Sequence, residues 1–314
     1  MHRIIAASRA LGIAILFGAL APGFAMAQAN IDGVADTTFN LTARSGYITS
    51  ADGGSIYTWG YALDAGAMQY PGPTMIVNQG DTVTVTLNNE LPRPVSVVFP
   101  GQENVSATGG SAGALTQEST GPADTVTYQF TASRPGTFYY HSGTESDMQV
   151  DMGLVGALIV RPAGYDEQAN RIAYGHADSA YDHEYLFLLT EMDVRIHELA
   201  EQGNFAAIDT TDFHPVYWFI NGRNAPDTLA AAGAGWLPHQ PYNIVPRAHP
   251  GDRVLMRMID AGRDLHPFHH HGNNATQIAR DGMLLESTPG AGADLSFSDF
   301  TIKGVPGGTY DAIF

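Results

Sequence analysis

The chain has 314 residues, with 32 acidic side chains against 15 lysines and arginines and a formal net charge of −17. It contains no cysteine and a single lysine, Lys303, which excludes disulfides, thiolate metal sites, cysteine nucleophiles and a lysine-containing phosphate loop. The excess negative charge excludes nucleic acid as an expected partner, because binding a phosphate backbone needs a basic face. The 35 glycines and 18 prolines predict many turns, and a hydrophobic fraction of 44% is enough to form a core.

The first 27 residues have the three parts of a secretory signal peptide. Arg3 and Arg9 give a positive start, an apolar run follows, and Ala25-Met26-Ala27 supplies the small residues of a cleavage site. We expect cleavage after Ala27, a periplasmic or secreted protein, and no membrane span in the mature chain. A retained membrane anchor is the alternative, and Pro22 and the short apolar run argue against it.

The remaining sequence predicts short β-strands in two blocks. Thr82–Leu87 alternates threonine with Val83, Val85 and Leu87, which is typical of a strand with one buried face. Further strands are predicted at 125–131, 136–141, 154–160, 184–190, 216–221, 252–259, 266–271 and 276–280, with one helix at 194–202. Repeated short strands favour a β-sandwich, so we predict an all-β chain with domains at 35–162 and 185–314 and a linker at 163–184.

Histidine is the residue type most informative about chemistry. The segment His266–Gly272 contains four imidazoles. On a strand, His269 and His271 share one face while His270 points to the other, so two imidazoles are placed to bind one metal ion. Copper, zinc, iron and nickel all accept imidazole, and an exposed histidine-rich hairpin without metal is the alternative.

His141 ends a second predicted strand, Gly136–His141. Taken alone, it is better explained as a hydrogen-bonded residue at a strand end than as a ligand.

In combination these segments resemble a multicopper oxidase built from plastocyanin-like, or cupredoxin, domains. The matching pieces are Tyr70–Thr74, Gly80–Val83, Gly136–Ser142 and Gly153–Val160 for a first domain, and Phe219–Gly222, Pro250–Arg253 and His266–Gly272 for a later one. The resemblance covers most of residues 65–314. It implies two Greek-key β-sandwich domains, copper, a small-molecule or metal-ion reductant, and dioxygen as the oxidant.

The resemblance also implies roles for four histidines. His266 is similar to a ligand of the mononuclear blue copper, and His269 and His271 are similar to ligands of a three-copper cluster. His141 is similar to the first histidine of the family's His-Ser-His motif. Three surviving cluster imidazoles are enough for one copper ion, and zinc is the alternative.

Several family ligands are replaced in this chain. Val98 and Pro100 stand where the family has the two histidines of His-Trp-His-Gly, and Gly143 stands at the second histidine of His-Ser-His. The cysteine that blue copper needs is absent. The complete four-copper set is therefore not encoded in these residues.

The last residues, Pro306–Phe314, predict a turn followed by an unfinished strand with an open apolar edge. We therefore expect the second domain to be incomplete at its C-terminus and the chain to be a fragment. The resemblance implies a cysteine-containing segment beyond Phe314.

Three functions remain as hypotheses. The first is an exported copper-dependent oxidoreductase of multicopper-oxidase type, which would be an enzyme. The second is a degenerate cupredoxin scaffold that binds a single metal ion without catalysis. The third is a cupin-like metalloenzyme using His269 and His271, disfavoured because Asn273 and Asn274 follow where a glutamate is needed. The oligomeric state is open, and a nitrite-reductase-like trimer would let histidines of another chain complete a site.

Four weaker features have simpler explanations. Residues 109–113 match the G-x-S-x-G pattern of serine hydrolases, but they lie in a glycine-rich loop. Met148 and Met152 are better explained by packing than as copper ligands. The acidic stretch that ends at Asp151 is expected to be solvated, and Asp281 is either a turn residue or a partner that orients a histidine.

Overall fold

The computed structural model of the protein describes residues 31–314, so the predicted signal peptide at residues 1–27 lies outside the described part. Within this range the chain forms twenty β-strands, two α-helices and three 3-10 turns. The longer helix has eight residues, and none of the described helices has the length and apolar character needed to span a bilayer. The predicted all-β class is confirmed.

The first block of strands forms two facing sheets. The elements in chain order are β1 (Val34–Ala35), β2 (Thr38–Thr49), β3 (Ser55–Leu63), β4 (Gly72–Asn78), β5 (Thr82–Asn89), β6 (Ser106–Gly109), β7 (Ser111–Ala112), β8 (Gln117–Glu118), β9 (Val126–Thr131), β10 (Gly136–His141), helix α1 (Ser146–Gln149) and β11 (Val155–Arg161). One sheet has the order β3-β2-β5-β9-β6 and the other β1-β4-β11-β10, while β7 and β8 form a separate hairpin.

The alternating sequence of β5 gives this strand one face that is buried in the core of the sandwich. Val83, Val85 and Leu87 are fully buried, while the threonines between them are partly exposed. Their apolar side pairs across the core with Trp59 and Tyr140 of the same hydrophobic cluster. The strand and its buried face therefore agree with the sequence prediction.

The second block is dominated by one large sheet. Its elements are β12 (His183–Met192), helix α2 (Val194–Glu201), β13 (Tyr217–Ile220), β14 (Val254–Asp260), β15 (His266–His269), β16 (Ala275–Arg280), β17 (Met283–Leu284), β18 (Phe297–Asp299), β19 (Thr301–Gly304) and β20 (Thr309–Ile313). The large sheet has the order β13-β12-β14-β20-β16-β17, with β18 also on β16, while β15 pairs with β19.

The two blocks share a buried interface. Every residue of β11 is buried, which shows that the β1-β4-β11-β10 sheet is covered on both faces. Tyr139 and Ile159 on the outer face of that sheet pack in one hydrophobic cluster with Leu186 and Leu188 of β12 and Ile259 of β14. This interface orients the ends of β10, β12 and β14, where the candidate ligands lie.

Two predicted segments have a different local structure from the one expected. The predicted strand at 266–271 ends at His269, so strand alternation does not extend to His271. The segment predicted as a linker is packed, since Ala173 and Tyr181 are buried in a cluster with Leu255 of β14. The predicted helix is present as α2, and Asp193 caps it by accepting a hydrogen bond from the Arg195 backbone N–H at 3.1 Å.

Candidate metal centre

His266 lies between two buried carboxylates, where β12, β14 and β15 meet. Its Nδ1 is 2.9 Å from Asp260 Oδ1, and its Nε2 is 3.4 Å from Glu191 Oε2. Burial alone would lower the pKa of His266, but the hydrogen bond with Asp260 and the charges of Asp260, Glu191 and Asp264 raise it above its usual value. The surroundings therefore favour a charged imidazolium, and a metal ion at either ring nitrogen would have to replace a carboxylate contact.

His269 and His271 lie together at the exposed end of β15. Their ring centroids are 4.8 Å apart and their planes are inclined by 70°. His269 Nδ1 is 3.0 Å from the Thr301 hydroxyl of β19. Because Thr301 engages Nδ1, the Nε2 atom of His269 is the one available to a metal ion. The pair thus offers two imidazoles on an accessible surface.

His270 has a different role from its two neighbours. Its Nε2 accepts a hydrogen bond from the Ala275 backbone N–H at 2.9 Å, which closes the turn between β15 and β16. Its ring packs edge-on against Phe314 with the centroids 5.5 Å apart, and burial lowers its pKa. A neutral imidazole that accepts this hydrogen bond is consistent with a structural role.

His141 ends β10 in a half-buried position. Its ring stacks on Tyr139 with centroids 5.2 Å apart, and its Nδ1 is 2.9 Å from the Ser142 carbonyl oxygen. Because a carbonyl only accepts, Nδ1 carries the hydrogen and Nε2 has the free lone pair. Burial lowers the pKa of His141, so the ring is neutral at neutral pH, as metal ligation requires.

The space beside His141 is filled by apolar packing. Val98 and His141 exchange backbone hydrogen bonds of 2.9 and 3.2 Å. A Cβ atom added to Gly143 would lie 2.6 Å from Val98 Cγ1 and 3.1 Å from Ser96 Oγ. The Val98 side chain therefore occupies the room that a second imidazole at position 143 would need.

The structure brings only some of the predicted ligands together. His269 and His271 are neighbours, whereas His141 and His266 each belong to a separate environment. Within residues 31–314, none of the four takes part in a group of three ligand atoms that all lie within 4.8 Å of one another. The fold does form one such group from residues that the sequence did not point to.

This unpredicted group consists of His183, His249 and Asp252. His183 begins β12, and the other two lie in the turn before β14, which pairs with β12 in parallel. In the sequence, the only sign of this group is that one histidine begins β12 and another lies just before β14. The two histidines can be recognised as parts of one site only when β12 and β14 are known to pair.

The weaker features have defined structural roles. Met148 and Met152 are buried in the core of the first block, while Gly109 ends β6 and Ser111 and Ala112 form β7. Asp281 has a positive φ of 51° and accepts a hydrogen bond from the Thr309 N–H at 3.1 Å, so it is a turn residue. The expectation that Asp151 is solvated is wrong, because its side chain is only 1% exposed and lies beside His197.

Comparison with known proteins shows what this chain is similar to. Residues 64–164 match the family model described as multicopper oxidase. A probable nitrite reductase-hydroxylamine oxidoreductase fusion protein of Kuenenia stuttgartiensis is 27% identical over 233 residues, which cover 72% of this chain and 23% of that protein. The L-ascorbate oxidase of Cucurbita maxima is 41% identical over 97 residues, which cover 30% of this chain and 16% of the oxidase. The chain thus spans less than a quarter of the length of either relative.

A solved structure supports the same fold. The blue copper oxidase from Nitrosomonas europaea superposes with a TM-score of 0.65 at 22% sequence identity, over 88% of this chain and 74% of that protein. The predicted cupredoxin-like β-sandwich fold is therefore confirmed.

Proposed function

We propose that the chain belongs to the multicopper oxidase family, whose model matches residues 64–164, and that it is an exported, copper-binding oxidoreductase that acts on a small-molecule or metal-ion reductant, with dioxygen as the oxidant. The observation that carries the proposal is the exposed pair His269–His271, whose rings are 4.8 Å apart. We further propose the division into domains at 35–162 and 185–314, with residues 163–184 between them.

The exposed pair His269–His271 fits a copper ion, whereas the surroundings of His266 do not fit a blue-copper site. Imidazole is a preferred ligand of copper, and Thr301 holds His269 with its Nε2 free to bind. The blue-copper site does not fit these 314 residues, because they contain no cysteine and His266 is engaged by two carboxylates. Copper bound at His269 and His271 would supply one-electron redox chemistry.

Two imidazoles leave at least one coordination position of a copper ion for a further ligand. We propose that a second copy of the chain supplies a further imidazole, for which the half-buried, neutral His141 is the candidate. Light scattering of the copper-loaded and copper-free protein tests this step. A monomer that binds copper at His269 and His271 with unchanged mass would contradict it.

Removing both exposed histidines tests the copper site. We expect the double variant H269A/H271A to lose one copper ion per chain, or per pair of chains, because both imidazoles of the exposed pair are removed. Metal analysis after gel filtration measures the loss. The control H214A removes an imidazole whose side chain is 70% exposed and should retain the wild-type copper content. Equal copper in wild type and double variant would reject the assignment.

A non-enzymatic scaffold that binds one metal ion is the second candidate function. It is favoured by the packing of Val98 against Gly143, which closes the space of a missing ligand beside His141. Oxygen uptake with phenolic, ferrous and cuprous reductants separates the two functions. Uptake by the copper-loaded wild type that is lost in H269A/H271A supports the oxidoreductase, whereas copper binding without uptake supports the scaffold.

A further inference from the structure

A second cluster of metal-binding residues lies at the opposite end of the large sheet. His183 Nε2 is 3.1 Å from Asp252 Oδ2, and His249 Nδ1 is 3.3 Å from the same oxygen. We propose that His183, His249 and Asp252 bind one divalent transition-metal ion, of which Zn²⁺ is the simplest probe.

Two of the three separations between the ligand atoms match the coordination shell of such an ion. Ligands at about 2.0–2.1 Å in a tetrahedron are separated from one another by roughly 3.3 Å. The two nitrogen–oxygen separations, 3.1 and 3.3 Å, are already close to this value, and all three atoms lie within 4.8 Å of one another. The side chain of His249 is 90% exposed, so it has room to adjust its position on binding.

The backbone holds two of the three ligands in place. His183 begins β12 opposite Val254 of β14, so the parallel pairing fixes its position beside the turn. Asp252 Oδ2 accepts the His249 backbone N–H at 2.6 Å. The carboxylate oxygen is therefore held in place and already directed at both imidazoles, which reduces the cost of ordering the site on binding.

The ligand set selects the class of ion. Two imidazole nitrogens and one carboxylate oxygen suit zinc, copper, nickel or cobalt, whereas calcium and magnesium prefer oxygen ligands. The fourth coordination position would face solvent, because His249 lies in an exposed turn. The ion would tie the start of β12 to the turn that leads into β14.

The site is independent of the copper site proposed above. His183 and Asp252 lie at the N-terminal ends of β12 and β14, while His266–His271 follow the C-terminal end of β14. The seven residues of β14 separate the two ends by roughly 20 Å. Each site can therefore be removed without touching the other.

Zinc titration of variants in the H269A/H271A background tests the proposal. Isothermal calorimetry with ZnCl₂ should show one equivalent bound, and adding H249A should weaken the affinity at least tenfold because one ligand is removed. Adding H214A is the matched control, since His214 forms an exposed pair with Asp212 at 2.9 Å but is not part of a three-ligand group. CaCl₂ is the control ion and should not bind.

Thermal melting gives a second readout that does not depend on copper. At one fixed Zn²⁺ concentration, the melting temperature should rise less with the H249A addition than in the H269A/H271A background or with the H214A addition, because weaker binding gives a smaller shift. Melting in EDTA establishes that the variants fold equally well. Absence of zinc binding in the background, or equal binding with and without His249, would overturn the proposal while leaving the copper assignment unaffected.

Discussion

At the scale of single residues, the buried pair Asp151–His197 shows how burial decides protonation. His197 Nδ1 lies 2.5 Å from the Tyr57 carbonyl oxygen, so this nitrogen carries the hydrogen. Its Nε2 faces Asp151 Oδ2 at 3.6 Å, and both side chains are at most 2% exposed. Burial lowers the pKa of His197 to about 4 and raises that of Asp151 well above its usual value. Burial therefore favours the protonated acid and the neutral imidazole over the charged pair.

The substitution D151N tests this protonation state. An acid whose pKa is raised by folding contributes full stability below its unfolded pKa of about 3.8, and that stability is lost as the pH rises through the folded value. Asparagine carries a permanent N–H toward His197, so D151N should be more stable than wild type by about 1 kcal/mol at pH 8. We expect its unfolding free energy to vary less with pH.

Urea denaturation between pH 5 and pH 9 measures this difference. The control D147N removes an exposed carboxylate of the short helix α1, which ends just before Asp151, and should keep the wild-type pH profile. Identical profiles for wild type and D151N would show that Asp151 is charged in the folded protein.

At the scale of elements, the β16–β17 hairpin is shaped by its turn and by the block opposite. Asp281 and Gly282 both have positive φ, 51° and 70°, as a tight hairpin turn requires. A Cβ atom at Gly282 would lie 2.2 Å from Phe138 Cε1 of β10. Glycine is therefore needed both for the backbone conformation and for the close approach of the two blocks.

Replacing Gly282 with alanine separates the cost of the backbone conformation from the cost of the contact with Phe138. G282A should lose about 1–2 kcal/mol from the left-handed backbone, and a further 1–3 kcal/mol, roughly, from the contact with Phe138. Gly53 is the matched control, because it has a φ of 87° with no atom within 4 Å of the added Cβ, so G53A should show only the backbone cost. Urea denaturation of both variants measures the difference. Equal losses would mean that Phe138 moves aside freely.

At the scale of the whole molecule, a buried ionic network joins the two blocks. Glu184 of β12 accepts hydrogen bonds from Arg161 of β11 at 2.8 Å and from Arg257 of β14 at 2.9 Å. Arg257 also bonds the Thr137 hydroxyl of β10 at 3.0 Å, and Thr137 bonds Asp311 of β20 at 2.7 Å. Because these strands come from both blocks, the network orients one block on the other.

Removing the charge of Glu184 should cost more unfolding free energy than removing the charge of an exposed ion pair. Burial alone would raise the pKa of Glu184, but Arg257 and Arg161 lower it below its usual value, so its contribution is present above the unfolded pKa and is lost as the pH falls. E184Q leaves two arginines without their buried partner and should cost about 3–5 kcal/mol near pH 7.

The control E90Q breaks the exposed pair with Arg44 and should cost no more than about 1 kcal/mol. Denaturant unfolding at pH 7 and pH 4 measures both variants. A similar small loss for E184Q and E90Q would show that Glu184 does not hold the blocks together.

The sequence by itself determined the features that depend on neighbours along the chain. The alternation of Val83, Val85 and Leu87 predicted a half-buried strand, because side chains two residues apart share a face of a sheet. The closeness of His269 and His271 also followed from their spacing, although His271 lies beyond the strand end. The family resemblance rested on the same kind of local motif.

Only the tertiary structure decided which distant side chains meet. His183 lies 69 residues before Asp252, and they meet because β12 and β14 pair in parallel. The pattern of a strand states which of its faces is buried and not which strand lies beside it. The burial that raises the pKa of Asp151 and the carboxylates that engage His266 likewise come from packing between elements. The spacing of side chains along one strand can therefore be predicted from the sequence. Which ligands come together, and how pKa values shift, depends on how the strands pair and the sheets pack.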